Sequence, residues 1–448
     1  MNITKLDTAH NQDKKITFYN LCVYYTLLLT AAACVVGSTG SSSLMLIITA
    51  MFAPLILKPE MLLCPVLFFS IFDDYLLAGS SASVSRYITI FLIAGTAISI
   101  LRKGSIKNST LYFLFLTTFG IVLSFYVTYD KAAFPITYIL NMALAITLLN
   151  YSIVSAESIA KQFHAFAILA LAFLYFMFIK NGFDSLVEGS RMSIAENVNS
   201  NDLAMGVAIV MTILVSDTLL FKNHTLLNIP LIGANLVALF LTGSRTALIA
   251  AIAAAFLLVV INTKDRRSKR NAFLLLIVGS VLLILIYNTL QKNFPLLMER
   301  FTAENVEESG GTGRVDVWKN YFIHFFPKYW LFGMGYGPNN LFYALRSINV
   351  EAHGAHNIVV EALSRSGVVG LILYTICFVK FFRATTKNLS KNRFLILPIA
   401  IVMTILINGI GENTLGSRFT WFGIGLGYMF IHAAQNEEEK LSGGNYGF

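Results

Sequence analysis

The chain has 448 residues, 56% hydrophobic and only 13% charged, with a formal net charge of +9. Soluble domains carry about 25% charged residues, so this composition excludes an ordinary soluble protein and indicates a polytopic membrane protein. The basic excess falls in short loops between apolar runs, which excludes a nucleic-acid-binding domain and follows the positive-inside rule.

A membrane span needs about 20 mostly apolar residues. In chain order, about fourteen such stretches are centred near Tyr25, Ala50, Phe69, Leu92, Thr118, Leu144, Ala170, Met211, Val237, Ala254, Leu282, Leu373, Met403 and Gly425. The second is short. The expected fold class is all-α: a polytopic integral membrane protein of about 12–14 transmembrane helices with one large periplasmic loop. Residues 1–16 read as a cytoplasmic N-terminus and 17–432 as the membrane domain, with its large loop at 291–355. Residues 433–448 read as a disordered cytoplasmic tail. The four cysteines, Cys22, Cys34, Cys64 and Cys377, each lie in an apolar run without CxxC spacing and read as core residues.

Orientation follows from loop charge. The basic segments 102–107, 264–270 and 380–393 belong in the cytoplasm, which puts segment 291–355 outside. That segment is long for a compact architecture, and long loops of this kind are functional or disordered. An amphipathic helix is expected after Gly313, with Trp318, Tyr321, Phe322, Phe325 and Phe326 as its apolar stripe on the membrane surface. Gly333, Gly335 and Gly337 mimic a phosphate loop. No strand precedes them and no GK[ST] follows, so they read as a flexible turn.

Four outward features carry charge. Arg245, in "LTGSRTALIA", stands at a junction between two spans. It reads either as a snorkelling side chain or as part of a functional pathway. Arg314 opens the amphipathic helix. In "AHGAHNIVVEALSRSGVVG", His353 and His356 precede a span, Glu361 and Arg365 are spaced to pair on one helix face, and Gly367 and Gly370 would admit a close neighbouring helix. A histidine here is either a hydrogen-bonded structural residue or a functional base. Glu412 and Arg418, in "NGIGENTLGSRFTW", sit in a loop that is either a solvated turn or substrate-facing. His353-x-x-His356 lacks a third ligand nearby, so no metal site is expected. Arginines without a metal suit a pyrophosphate or another anion, and a neutral histidine suits a general base.

These residues carry a resemblance. The chain resembles the O-antigen ligase/polymerase superfamily of polytopic bacterial membrane glycosyltransferases. The ligase pattern is His, then Asn, Ser or Gln, nine residues, then G-x-x-G. Here it reads His356, Asn357, the nine residues Ile358 to Ser366, then Gly367 and Gly370. Arg245 in "TGSRTAL" and Arg314 in "GRVDVWKNYF" match the family's two outer arginines, and the likeness is strongest from about Arg191 to Trp421.

The resemblance implies a bacterial inner-membrane enzyme whose active site faces the periplasm and which needs no cofactor and no metal. Its donor would be an undecaprenyl-pyrophosphate-linked glycan. The acceptor would be another glycan for a polymerase, or lipid A–core for a ligase. His356 would be the catalytic base, Arg245 and Arg314 would hold the pyrophosphate, and Asn357, Glu361, Arg365, His353, Glu412 and Arg418 would support them. Further partners would be membrane lipids and a chain-length regulator, with no nucleic acid. The span count and the long aromatic loop favour a polymerase over a ligase. A lipid-linked sugar flippase would carry charge along a central path, whereas these charges gather at one end.

Overall fold

The computed structural model describes residues 3–39, 41–76, 83–103, 106–126, 135–153, 155–181, 200–221, 224–262, 266–302, 304–305, 313–337, 340–350 and 354–443. Among these there is no strand. The principal helices are α1 (Ile3–Thr39), α2 (Ser42–Ala50), α3 (Leu63–Leu76), α4 (Val84–Lys103), α5 (Ser109–Tyr126), α6 (Ile136–Asn150), α7 (Ala156–Asn181) and α8 (Ser200–Leu220). They continue as α9 (Thr225–Leu241), α10 (Arg245–Asn262), α11 (Arg266–Asn293), α12 (Arg314–Asn320), α13 (Asn340–Arg346), α14 (Ile358–Asn388), α15 (Ile396–Asn408) and α16 (Arg418–Gly443).

Every expected span centre falls in one of these helices. By length and composition, 6 are long and apolar enough to cross a membrane: parts of α1, α4, α7, α8, α11 and α14. Shorter apolar stretches accompany them at Ser42–Leu57, Pro59–Phe72, Ser109–Phe125, Ile136–Asn150, Thr225–Leu241, Arg245–Ile261 and Arg393–Asn408. The protein is an all-α polytopic membrane protein. The second stretch is short for a local reason. Pro54 and Pro59 lack an N–H, so after α2 the chain goes on in two 3-10 turns, Ala53–Leu57 and Pro59–Leu62.

Two boundaries differ from expectation. Helix α1 begins at Ile3 and takes in the polar opening residues. Helix α16 runs to Gly443, so the expected disordered tail is helical up to that point.

Helix α8 is the centre of the bundle. Its sequence is apolar on every face, and 89% of its span is buried, against 6% for α11. Around it pack α7, α9, α10 and α15, and α16 lies against α6 and α15. Helix α11 is peripheral, touching mainly α9 and α10. This wrapping brings the starts of α10, α12, α14 and α16 and the end of α15 to one end of the molecule. Arg245, Arg314, His356, Glu361, Arg365 and Glu412 lie there.

Candidate functional site

The site is built on the first turns of α14. Asn357 is its N-cap, accepting from the N–H groups of Val359 and Val360 at 2.9 and 3.1 Å. It thereby satisfies donors that every helix start leaves open. The remaining groups here bind the loop between α15 and α16. Ile358 N–H donates to the Gly409 carbonyl at 2.6 Å, and Asn357 Nδ2 donates to the Ile410 carbonyl at 2.9 Å. One turn on, Glu361 is 2% exposed and accepts from the N–H groups of Leu415 and Gly416 at 2.9 and 3.1 Å. Its i,i+4 partner Arg365 stands 3.1 Å away. Glu361 is thus a staple between α14 and the 409–417 loop, its charge offset by one arginine and two backbone donors.

The second glycine-rich element is the Gly367 break. Gly367 has φ +64 and ψ −163 inside α14, a conformation that disfavours any side chain. A Cβ there would lie 2.3 Å from the backbone of Leu331. The break frees helical backbone groups, and the 330–335 chain takes them up. Met334 and Gly335 donate to the carbonyls of Ser364 and Arg365 at 2.6 and 3.0 Å, while Val368 N–H donates to the Trp330 carbonyl at 2.8 Å. The Gly333–Gly337 run is therefore no loose turn. It is a clasp on the broken helix, and the close neighbour that Gly367 admits is the backbone of a turn, not a helix.

The expected amphipathic helix after Gly313 is present as α12 and a π turn, Tyr321–Phe325. Its stripe faces the protein. Val317, Tyr321 and Phe325 are buried with Met334, Leu345, Ala355 and Val360, while Phe322 is exposed. Trp318 Nε1 donates to the Ala355 carbonyl at 2.7 Å, which ties this helix to the residue before His356.

Glu412 joins the two ends of this arrangement. It is buried, and its Oε2 lies 2.9 Å from His356 Nδ1 while Oε1 accepts from Arg314 Nη2 at 2.8 Å. A carboxylate on Nδ1 holds the proton there and leaves Nε2 as the ring's proton acceptor. His356 is further fixed by its backbone N–H, which donates to Asn413 Oδ1 at 2.9 Å. Its φ of +45 is a left-handed conformation, a strained state of the kind that clusters at active sites. Nε2 lies 3.6 Å from the place a Cβ on Gly354 would take, so that glycine keeps the nitrogen uncovered on this side.

Arg245, the first residue of α10, joins the same cluster. The positive charges of Arg314 and Arg300 both reach it and repel it. Gly411 marks how close the pieces are, since a Cβ there would meet Thr246 at 2.2 Å and Arg314 Nη1 at 3.0 Å. Arg300, missed by the sequence reading, has a buried Nε that makes no hydrogen bond. It belongs to no motif, and only its place at the foot of the large loop marks it. Arg245 is thus partly withdrawn from water and feels the charges of Arg300 and Arg314, an arrangement whose chemistry suits an anion.

The structure thus brings together His356, Arg245, Arg314, Glu412, Asn357, Glu361 and Arg365. Arg418 is elsewhere: its Nη1 donates to the hydroxyls of Ser85 and, at 3.1 Å, Ser70, pinning α16 to α3 and α4. His353 lies outside the described residues. One cavity adjoins the cluster and a second lies deeper in the bundle. The first, about 340 Å³ and polar, is lined by Gly335, Asn340, Gly354, Arg365 and Asn413 among others. The other, about 450 Å³ and apolar, runs along α10 between α8, α9 and α11, starting one turn below Arg245 at Ile249.

Residues 230–375 match the family described as O-antigen ligase. This match, over about a third of the chain, supports its likeness to the O-antigen ligase/polymerase superfamily. No curated protein and no solved structure matches the chain significantly. The superfamily segment holds Arg245, Arg300, Arg314, His356 and the Gly367 break, but Glu412 lies beyond it. The residue that links the histidine to the arginine is thus supplied by the chain outside the matched region.

Proposed function

We propose that the protein is a surface-polysaccharide polymerase of the bacterial inner membrane, working at the periplasmic face on an undecaprenyl-pyrophosphate-linked glycan. The observation that carries this reading is the juxtaposition of a carboxylate-held histidine with a group of arginines. In the proposed reaction an acceptor sugar hydroxyl attacks the anomeric carbon of the donor. The new glycosidic C–O bond forms as the bond from that carbon to the pyrophosphate oxygen breaks. His356 Nε2 takes the hydroxyl proton, and Glu412 stabilises the resulting imidazolium. Negative charge grows on the leaving pyrophosphate, and Arg245, Arg300 and Arg314 stabilise it. Pyrophosphate at these arginines would place the isoprenoid tail in the apolar cavity along α10. The polar cavity beside Gly354 and Asn413 then suits the acceptor sugar.

The family's description as O-antigen ligase favours a second reading, in which the acceptor is lipid A–core. The chemistry at His356 would be the same. A glycan gel from a deletion strain separates the two. Lipid A–core carrying a single repeat unit supports the polymerase. Bare core with accumulating lipid-linked polymer supports the ligase. Unchanged surface glycan overturns both.

A further inference from the structure

At the opposite end of α9 from Arg245 lies a second cluster that the proposed chemistry does not use. Helix α9 has 17 residues, so about 25 Å of helix separates the two ends. Here His164 of α7, Asp217 of α8 and His224, just before α9, present ligand atoms within 4.8 Å of one another. His224 Nδ1 is 2.8 Å from Asp217 Oδ2, and His164 Nε2 is 3.5 Å from the same oxygen. The two imidazoles are stacked, with centroids 4.7 Å apart and planes at 16°. Asn228 completes the group. Its Oδ1 is 2.8 Å from His164 Nε2, and its Nδ2 donates to Asp217 Oδ2 at 2.8 Å.

Two observations make this more than a hydrogen-bonded knot. Asp217 is 3% exposed, and its ion partners among the described residues are these two histidines, with no lysine or arginine. A buried carboxylate needs a compensating cation. In addition, Asp217 Oδ1 is buried and accepts no hydrogen bond at all. Several donors crowd one oxygen while the other has no partner.

We propose that His164, Asp217 and His224, with Asn228 Oδ1, form a divalent metal site, filled by zinc, that clips α7, α8 and α9 together. Two imidazole nitrogens and a carboxylate are a common zinc ligand set, and ligand atoms around tetrahedral zinc stand roughly 3.3–3.5 Å apart. The separations of 2.8 and 3.5 Å are close to this, and the two stacked rings must swing apart for both nitrogens to face the ion. Binding requires each ring to carry its proton on the other nitrogen, so no net charge is lost from the histidines. His224 is 32% exposed and gives the ion a way in, while the other ligands stay buried. No ligand spacing in the sequence announces the site, because its members come from three separate helices. The clip is structural: it holds α8 and α9, on which α10 and its Arg245 pack, and takes no part in transfer.

The test uses the full chain in detergent, purified through a tag that contains no histidines. Zinc content is measured by mass spectrometry, and thermal unfolding is followed with ZnCl2 or EDTA added. The expected result is about one zinc per chain, with a Tm several degrees higher in zinc than in EDTA. His224→Gln and Asp217→Asn should lose both the ion and the Tm response. Should Asp217→Asn fail to accumulate, the half-exposed His224→Gln decides. A wild-type chain with no bound zinc and no Tm response, or variants that bind zinc as the wild type does, would reduce the cluster to a hydrogen-bond network and overturn the proposal.

Discussion

Glu412 Oε2 stands 2.9 Å from His356 Nδ1, across the junction of two loops that are distant in sequence. The pair gives the first prediction. His356→Ala should bring glycan transfer below detection while the protein still accumulates. Glu412→Gln keeps the shape but no longer fixes the Nδ1 proton or stabilises the imidazolium. It should lower transfer by about 100- to 10,000-fold. The measurement is in vitro transfer from purified lipid-linked donor. Near-normal rates in Glu412→Gln would mean that the carboxylate only anchors Arg314.

The arginine cluster gives the second. Lysine keeps the charge of Arg245, Arg300 or Arg314 but loses the planar two-point grip on a pyrophosphate. Each Arg→Lys variant should lose about 100- to 1000-fold in rate, with normal accumulation. Arg314→Lys should be the worst, because it also releases Glu412 Oε1. Transfer should proceed without added Mg2+ or Mn2+, since guanidinium groups supply the charge. A requirement for either ion, or full activity in all three variants, rules this arrangement out.

What was legible in the sequence was local. Glu361 and Arg365 pair because an i,i+4 spacing fixes their distance on any helix. Asn357 caps because its side chain serves its own helix. Glu412 was read only as an outward residue, with a solvated turn as the alternative. Its bond to His356 depends on how the 409–417 loop folds back over α14, which no spacing encodes. Arg418 looks equivalent to Glu412 in sequence, yet its hydrogen bonds go to Ser70 and Ser85, on α3 and α4. The glycines were read as sites of close approach, and Gly367 is one. The approaching group is backbone from the preceding loop, whose path sequence periodicity does not describe. Arg300 and the His164–Asp217–His224 cluster left no pattern, because each depends on tertiary contact alone.

The third prediction concerns that break in α14. For a residue other than glycine, the φ +64, ψ −163 conformation at position 367 costs about 1–3 kcal/mol. A Cβ would also overlap Leu331. Gly367→Ala should therefore lower Tm by several degrees and detach the 330–335 clasp, seen as faster proteolysis near Trp330. Gly279→Ala in α11 is the control, since nothing lies within 4 Å of its added Cβ. It should leave Tm unchanged or slightly raised. Equal responses in the two variants would show that the clasp contributes nothing.

The last prediction fixes the orientation. Beyond the Gly367 break, α14 continues from residue 368 to Asn388, about 30 Å of helix, which matches a hydrocarbon core of about 30 Å. Its two ends should therefore face opposite sides of the membrane. Asp316 and Lys387 are exposed, one in the segment before α14 and one in its last turn. Cys34, Cys64 and Cys377 are buried and Cys22 half-buried, so a Cys22→Ser background leaves little competing thiol. In cells with a permeabilised outer membrane, Asp316→Cys should react with an impermeant maleimide, and Lys387→Cys only after lysis. The basic run at 380–393 predicts this sense. The reverse pattern would put His356 in the cytoplasm, away from a periplasmic lipid-linked donor, and the proposed reaction would fall with it. Labelling of both positions in intact cells would mean that α14 does not cross the membrane, which would remove the basis for placing the site at either face.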